Sequence, residues 1–375
     1  MFSKRLNYTV RLTNPTSIAS MQTVGATGAI HMGGRFLKAH YPAWQGSDCK
    51  VYLPKDTWGM EYSSSYSLRC SLNYLPVNHR NLFKTLGIQL VDLPYYDSSI
   101  KSLNWNAFKA AIESLPPKSV VLIQTNAHNP TGCDPTPSQW QELIQVFLTR
   151  RHFAFLDSAY LGLVSGDPDS DASTIGMFEA AGVPLLLAAT FGKSFGLYGE
   201  RVGMLSVIAP NPEIKARMQK QMALLARSET GSSPAFGAKI VEVALGDEKI
   251  KAVWAEDVKG IATELRRRRQ VLRNELELVG TPGQWDFLTR QVGMFSWVVP
   301  IVMLSCRSSD RIPDTSTLRH PSWNFCGRRI ISTLMETADS LSRKYSRRPN
   351  ARNLTGSLER SIRRASNCWP GVLTT

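Results

Sequence analysis

The sequence predicts an α/β layer protein, and three observations predict it. Helical and strand patterns alternate from about Gln22 to Ser296, as expected where helices cover a sheet. Three short apolar runs, each followed at once by polar or glycine-bearing residues, read as buried strands. A longer stretch places apolar residues at helical spacing with arginines between them. At 375 residues the chain can bury a large core and hold two domains, or one large domain with an appendage.

In chain order, Gly25-Ala26-Thr27-Gly28-Ala29 opens a helix that continues toward Phe36. Backbone amides at a helix start bind phosphate, and the Thr27 hydroxyl can add a bond; Gly-Ala-Thr-Gly is also an ordinary loop sequence. Ser119–Gln124 is the first buried strand and runs into Ala127-His128-Asn129-Pro130-Thr131-Gly132, where an Asn-Pro bond can be cis. Phe153–Asp157 is the second, with Tyr160 three residues beyond its carboxylate. Val183–Ala188 is the third, and Thr190, Lys193 and Arg201 follow it in a glycine-rich segment that ends at Gly203. Glycine there lets backbone approach a ligand closely, and ligands of such sheets sit beyond the carboxyl ends of parallel strands. Ile261-Leu265-Leu272-Leu276-Val279 then marks a long amphipathic helix, with Arg266–Arg269 as its solvated face.

Composition narrows the function classes. The longest apolar runs, Val183–Ala189 and Val298–Leu304, are too short to span a bilayer. Met1–Leu6 shows neither a signal nor a transit peptide, so a cytoplasmic protein is expected, with mitochondria left open. Six cysteines without CxxC spacing are expected as free thiols in a reducing compartment, with no metal. The net charge of +14 points at first to nucleic acid. From Arg307 onward, however, thirteen Lys/Arg face five Asp/Glu, which is over half the excess, without the aromatic interleaving of a nucleic-acid groove. Neither nucleic acid nor membrane is expected as a partner.

The string Thr190-Phe191-Gly192-Lys193-Ser194-Phe195-Gly196-Leu197-Tyr198-Gly199-Glu200-Arg201-Val202-Gly203 resembles the cofactor-lysine motif of the aspartate aminotransferases, class I enzymes that use pyridoxal phosphate (PLP). The resemblance extends from about Leu12 to Gly59 and from Asn78 to Trp297. It implies the PLP-dependent transferase fold type I, with a large domain over 1–260 whose mostly parallel sheet is flanked by helices. A smaller α/β domain would begin over 261–297.

The resemblance also implies roles. Lys193 would carry the cofactor's aldehyde as a Schiff base and later move the substrate's proton. Asp157 would pair with the ring nitrogen and keep it charged. Asn129 and Tyr160 would hydrogen-bond the ring oxygen, and Trp58 would stack on the ring, although taken alone Trp58 reads as a core residue. Gly25, Ala26, Thr27, Thr190 and Arg201 would cradle the phosphate, Arg201 through its planar fork. Trp58 and Asn129 would also meet the substrate. Arg227 would reach across a homodimer, whose active site is shared, to the substrate's distal carboxylate; alone it reads as an exposed arginine at a helix end. The implied reaction is ping-pong transfer of an amino group between L-aspartate and 2-oxoglutarate, giving oxaloacetate and L-glutamate.

Several departures from the family pattern matter. Gly25 and Ala26 stand where the family has Ser-Gly, Thr190 replaces a serine, and Gln124 stands where animal members often carry a histidine. The family has further residues upstream, including an arm that locks the dimer. Met60–Val77 is foreign to the pattern and reads as an insertion. Removing it restores a family-like Thr-Trp-x-Asn-His, and the codons at its two ends permit an intron donor and acceptor. The basic tail 298–375 lacks the family's Asp-Gly-Arg-x-Ser ending, whose arginine clamps the substrate α-carboxylate. Read in a frame shifted by two nucleotides, Met335–Arg343 permits Asp-Gly-Arg-Leu-Ser-Val-Ala, so the tail reads as frame-shifted. The alternative function is therefore a catalytically impaired PLP-binding remnant, or a paralogous subunit of the same family.

Overall fold

The computed structural model describes residues 17–297, apart from 47, 59–77, 279 and 282. The insertion expected at 60–77, the tail at 298–375 and Val279 lie outside the described residues. A seven-stranded sheet organises the rest. Its strands are β1 (Ile18–Val24), β2 (Lys50–Pro54), β3 (Gln89–Leu93), β4 (Val120–Gln124), β5 (Phe153–Ser158), β6 (Leu185–Thr190) and β7 (Val202–Ile208). Their spatial order is β1-β7-β6-β5-β4-β2-β3. Neighbours from β3 through β6 pair in parallel, whereas β7 runs antiparallel to both β6 and β1.

Helices cover both faces, which is why the central strands read as continuous apolar runs. They include α1 (Gly25–His40), α2 (Asn78–Thr85), α3 (Trp105–Ser114), α4 (Pro137–Arg150), α5 (Ser173–Ala180), α6 (Pro212–Glu229), α7 (Ala235–Gly246) and α8 (Glu248–Leu278). Alternate strand residues divide between two cores. Leu156, Leu185 and Leu187 pack with Phe108 of α3, Phe147 of α4 and Phe178 of α5. Phe155 and Leu186 point the other way and pack with Ile30 of α1, Phe83 of α2 and Met222 of α6.

Two expectations need correction. The third strand begins at Leu185 rather than Val183, because Pro184 has no N–H for the ladder and contributes only its carbonyl, which accepts from Ala154 N at 2.9 Å. The arginine run on α8 is not uniformly solvated. Four consecutive helical positions sweep about 300° of the helix circumference, so one of them must fall on the apolar stripe. Arg269, four residues after Leu265, is that one: it is 6% exposed and donates to the carbonyls of Gly293 and Phe295. The helix also starts earlier than its apolar pattern, because the Asp247 carboxylate accepts from Lys249 N and Ile250 N.

Candidate active site

The sheet brings six chain segments to one edge. Parallel strands β1, β2, β4, β5 and β6 present their carboxyl ends there, and antiparallel β7 presents its amino end. Along that edge, in spatial order, stand Gly25 after β1, Arg201 before β7, Lys193 after β6, Tyr160 after β5, Asn129 after β4 and Trp58 after β2. Residues scattered from 25 to 201 thus form one row.

At the β5 end, Asp157 is 4% exposed and its Oδ1 has no hydrogen-bond partner among the described residues. Its Oδ2 lies 3.3 Å from Nε2 of His79, a fully buried ring on α2. That contact is close enough for strong attraction but not aligned as a hydrogen bond, and Nε2 has no other partner among the described residues. Nδ1 of His79 meets Thr57 Oγ1 at 2.9 Å, and the same oxygen accepts from Gln124 Nε2 at 3.3 Å. Gln124 then grips Asn129 twice: its Oε1 accepts from Asn129 N at 2.9 Å, and its Nε2 donates to Asn129 O at 3.0 Å. The Asn129-Pro130 bond is cis. Next to it the Asp134 carboxylate accepts from Ala127 N and His128 N at 2.6 and 2.8 Å. Burial pushes Asp134 up to about 6, those two donors opposing it. His128 stacks on Tyr95 with 4.0 Å between ring centres, and burial pushes it down to about 3.

Lys193 sits in the turn after β6, its Nζ 4.7 Å from the centre of the Tyr160 ring. Burial lowers its affinity for a proton; Asp157 opposes that shift and Arg201 adds to it. Tyr160 is buried, and its oxygen accepts from Asn129 Nδ2 at 3.1 Å. Burial raises the phenol's pKa against the pull of that bond. Since Asn129 supplies the proton in that bond, the phenol keeps its own for another acceptor.

The opposite end is built by close approach of backbone. Gly25 opens α1 at φ +67°, and its N–H donates to Arg201 O at 2.8 Å. A Cβ on Gly25 would stand 2.6 Å from Arg201 Nη2, and one on Gly203 would stand 2.3 Å from Gly25 O. Only glycine at both positions lets the guanidinium lie against the helix start. Among the described residues no side chain caps α1, so of its first-turn amides only Gly25 N, which donates to Arg201 O, has a partner outside the helix. Thr27 and Gly28 line a neighbouring cleft of about 260 Å³ that runs to Glu229 and Ser233.

The residues expected from the sequence divide accordingly. Asp157, Tyr160, Asn129 and Lys193 come together; Gly25, Ala26, Thr27 and Arg201 form the helix-start group. Thr190 stands at the end of β6 between them, but its hydroxyl donates to Val202 O at 2.9 Å and accepts from Gly192 N at 3.2 Å. Its proton therefore serves the turn. Trp58 packs edge-on against His79, with 5.3 Å between ring centres. Arg227 is exposed in the last turn of α6. Sequence reasoning did not assign His79, Thr57 or Asp134. For His79 a signal existed, since joining Trp58 to Asn78-His79 restores the family string.

The residues present fit a planar, phosphorylated cofactor with a protonatable ring nitrogen. The supporting features are the unpartnered Asp157 Oδ1, the uncapped helix start and the guanidinium that a Cβ at Gly25 would displace. The family model of the "Aminotransferase class I and II" matches residues 70–301. The chain belongs to that family. It is 34% identical over 280 residues to the cytoplasmic aspartate aminotransferase of Oryza sativa subsp. japonica, covering 75% of this chain and 63% of that protein. To the mitochondrial aspartate aminotransferase of Arabidopsis thaliana it is 35% identical, covering 75% and 60%. The chain thus spans about three-fifths of the length of these curated relatives. Among solved structures, a mitochondrial aspartate aminotransferase from Trypanosoma brucei matches with TM-score 0.70 and 31% identity, covering 79% of this chain and 73% of that one. An aromatic-amino-acid aminotransferase from Burkholderia pseudomallei, covalently bound to pyridoxal phosphate, matches with TM-score 0.70 and 28% identity, covering 79% and 69%. The fold is fold type I of the PLP-dependent transferases. Among the described residues no helix is long and apolar enough to cross a membrane.

Proposed function

We propose that the protein catalyses PLP-dependent transamination between L-aspartate and 2-oxoglutarate, as a cytoplasmic homodimer with a shared active site. The observation that carries this reading is Lys193 Nζ lying over the Tyr160 ring, in the row with Asp157 and its unpartnered Oδ1. Bound PLP supplies an electron sink conjugated to its ring nitrogen. Asp157 Oδ1 holds that nitrogen's proton, while Asn129 Nδ2 and the Tyr160 hydroxyl hold the ring oxygen. Trp58, packed edge-on against His79, would lie beside the ring and limit access of water. The free α1 amides at Ala26 and Thr27, with the Thr27 hydroxyl and Arg201, would hold the phosphate. Gly25 would keep that helix start close to Arg201 through its own N–H bond to Arg201 O, and Thr190 orders the turn that presents Lys193. The depressed basicity of Lys193 suits its work, which is to take a proton from the substrate's Cα and return it on the far side of the exchange.

The names of the relatives, several of them aspartate aminotransferases, support aspartate as the amino donor; both cytoplasmic and mitochondrial proteins are among them. The exposed position of Arg227 suits reach toward a partner subunit's substrate. Leu224, Phe236 and Val243, on α6 and α7, are 63%, 46% and 56% exposed and supply apolar area for that dimer. The domain division proposed is a large domain over 1–260, with 60–77 inserted, the start of a small domain over 261–297, and a separate basic tail over 298–375.

A specific observation favours a second reading, that of a catalytically impaired PLP-binding remnant or paralogous subunit: the chain carries no Asp-Gly-Arg-x-Ser sequence. Loss of a buried arginine–carboxylate contact costs about 2–5 kcal/mol or more, hence ~30-fold or more in substrate affinity. The test is oxaloacetate production from aspartate and 2-oxoglutarate by the full chain loaded with PLP. The version with 60–77 excised and the tail re-framed is assayed beside it. Ordinary turnover by the chain as given removes the second reading, and a PLP absorption band without turnover in either version removes the first.

A further inference from the structure

The wiring between Gln124 and Asp157 has a direction that can be worked out from its donors. Asn129 N can only donate and Asn129 O can only accept, so the two contacts at 2.9 and 3.0 Å fix which end of the Gln124 amide is oxygen and which is nitrogen. The NH₂ end therefore donates to Thr57 Oγ1 at 3.3 Å. Thr57 has one hydroxyl proton of its own. Among the described residues its remaining contact is His79 Nδ1 at 2.9 Å. If Nδ1 carried a proton, Thr57 Oγ1 would receive two donors and its own proton would be left buried without an acceptor. A ring protonated only at Nδ1 would also set a bare Nε2 against the Asp157 carboxylate, 3.3 Å away. Both arguments place the ring proton on Nε2.

We propose that Gln124 and Thr57 are positioning residues that fix the tautomer of His79. Resting on the PLP reading above, their role is to hold Nε2–H against Asp157 Oδ2, so that Oδ1 is the carboxylate oxygen offered to the cofactor's ring nitrogen. Asn129 is gripped by the same Gln124, so one side chain couples the group that holds the ring oxygen to the group that holds the ring nitrogen. The other charged or titratable groups near His79 are Asp157 on β5 and His128 beyond β4. A leucine or valine at 57 or 124 would preserve bulk and lose this ordering.

The test is nitrogen NMR on the full chain with ¹⁵N-labelled histidine, before and after PLP is added. The six histidines make assignment by a His79→Gln spectrum practicable. His79 should show a protonated Nε2 and a bare Nδ1 that accepts a hydrogen bond. Thr57→Val should shift the Nδ1 resonance toward that of an unbonded bare nitrogen, and Thr57→Ser should restore it. Gln124→Leu, which frees the hydroxyl to turn, should produce a mixture of tautomers. A protonated Nδ1 in the parent overturns the proposal. So does a His79 spectrum unchanged in both Thr57→Val and Gln124→Leu, which would assign the order to Asp157 alone. Should Thr57→Val fail to fold, the Gln124→Leu outcome decides. PLP binding is read on the same samples by visible absorbance. A chain with the stated tautomer and no PLP band would refute the functional reading and leave this one standing.

Discussion

The two ends of the active-site row are built by different means. Around Asp157 the protein supplies its own partners: His79, Thr57, Gln124 and Asn129 form one side-chain chain in which nearly every donor finds an acceptor. Around Gly25 and Arg201 the partners are mostly backbone: Gly25 N donates to Arg201 O, the guanidinium donates to Tyr198 O, and no side chain among the described residues caps α1. On the proposed reading, the difference follows from what each end would hold. A ring nitrogen and oxygen need a few donors and acceptors at set positions, and a buried, fully wired network costs little to keep in order. A phosphate brings its own charge and several acceptors, so positive groups waiting near a helix start suffice.

The largest expected effect is at the wired end. Asp157→Ala should leave PLP bound through Arg201 and the α1 amides but slow transamination by about 10³ to 10⁴-fold, for ~5 kcal/mol of transition-state stabilisation lost. Steady-state rates against a PLP titration separate the two effects. A variant within tenfold of its parent would reduce Asp157 to a strand-end cap. At the other end the pattern should invert. Arg201→Ala should weaken PLP affinity by a factor corresponding to about 2–5 kcal/mol, with the spectrum of the bound cofactor little changed. If both variants lose affinity and rate alike, the two ends are not separable.

A smaller effect is pH-dependent. The carboxyl of Asp134, which braces Ala127 and His128 beside Asn129, titrates at about 6 in the fold against an ordinary 3.8. Its folded pKa is raised, so the folded state holds the proton more tightly. The contribution to stability is present below the unfolded value and is lost as pH rises from about 4 to 6. The loss is about 3 kcal/mol if the whole shift is realised. Denaturant unfolding of the parent against Asp134→Asn should show the parent losing ground over that window, with a constant difference above it. A difference that does not vary with pH would assign Asp134 a purely geometric role.

Legibility in the sequence followed the same division. Lys193, Asp157, Tyr160 and Asn129 could be found because each lies in or just beyond a short apolar strand, and a local string is enough to place it. Gly25 and Arg201 were legible as glycine-rich motifs, though not the reason for the glycines: Gly203, opposite Thr23 in the ladder, has room only for a hydrogen beside the backbone of Gly25, 178 positions away in sequence. His79 and Thr57 were missed because residues 59–77 separate Trp58 from α2 in the chain, while His79 N reaches back to Trp58 O at 3.5 Å in the fold. Arg269 was misread because charge alone does not tell which side of a helix turns inward; that was decided by the carbonyls of Gly293 and Phe295. The substitution at Gln124 was visible, but what it does depends on Thr57 and on the backbone of Asn129, which no periodicity reveals.

Lys193 is the residue proposed to meet the cofactor, between a wired end that would receive the ring and a second end that would receive the phosphate. The most direct test is to load the full chain with PLP, reduce it with borohydride and map the modified peptide by mass spectrometry. The pyridoxyl label should sit on Lys193 and disappear in Lys193→Ala. A label on a different lysine, or a chain that takes none, would contradict the account.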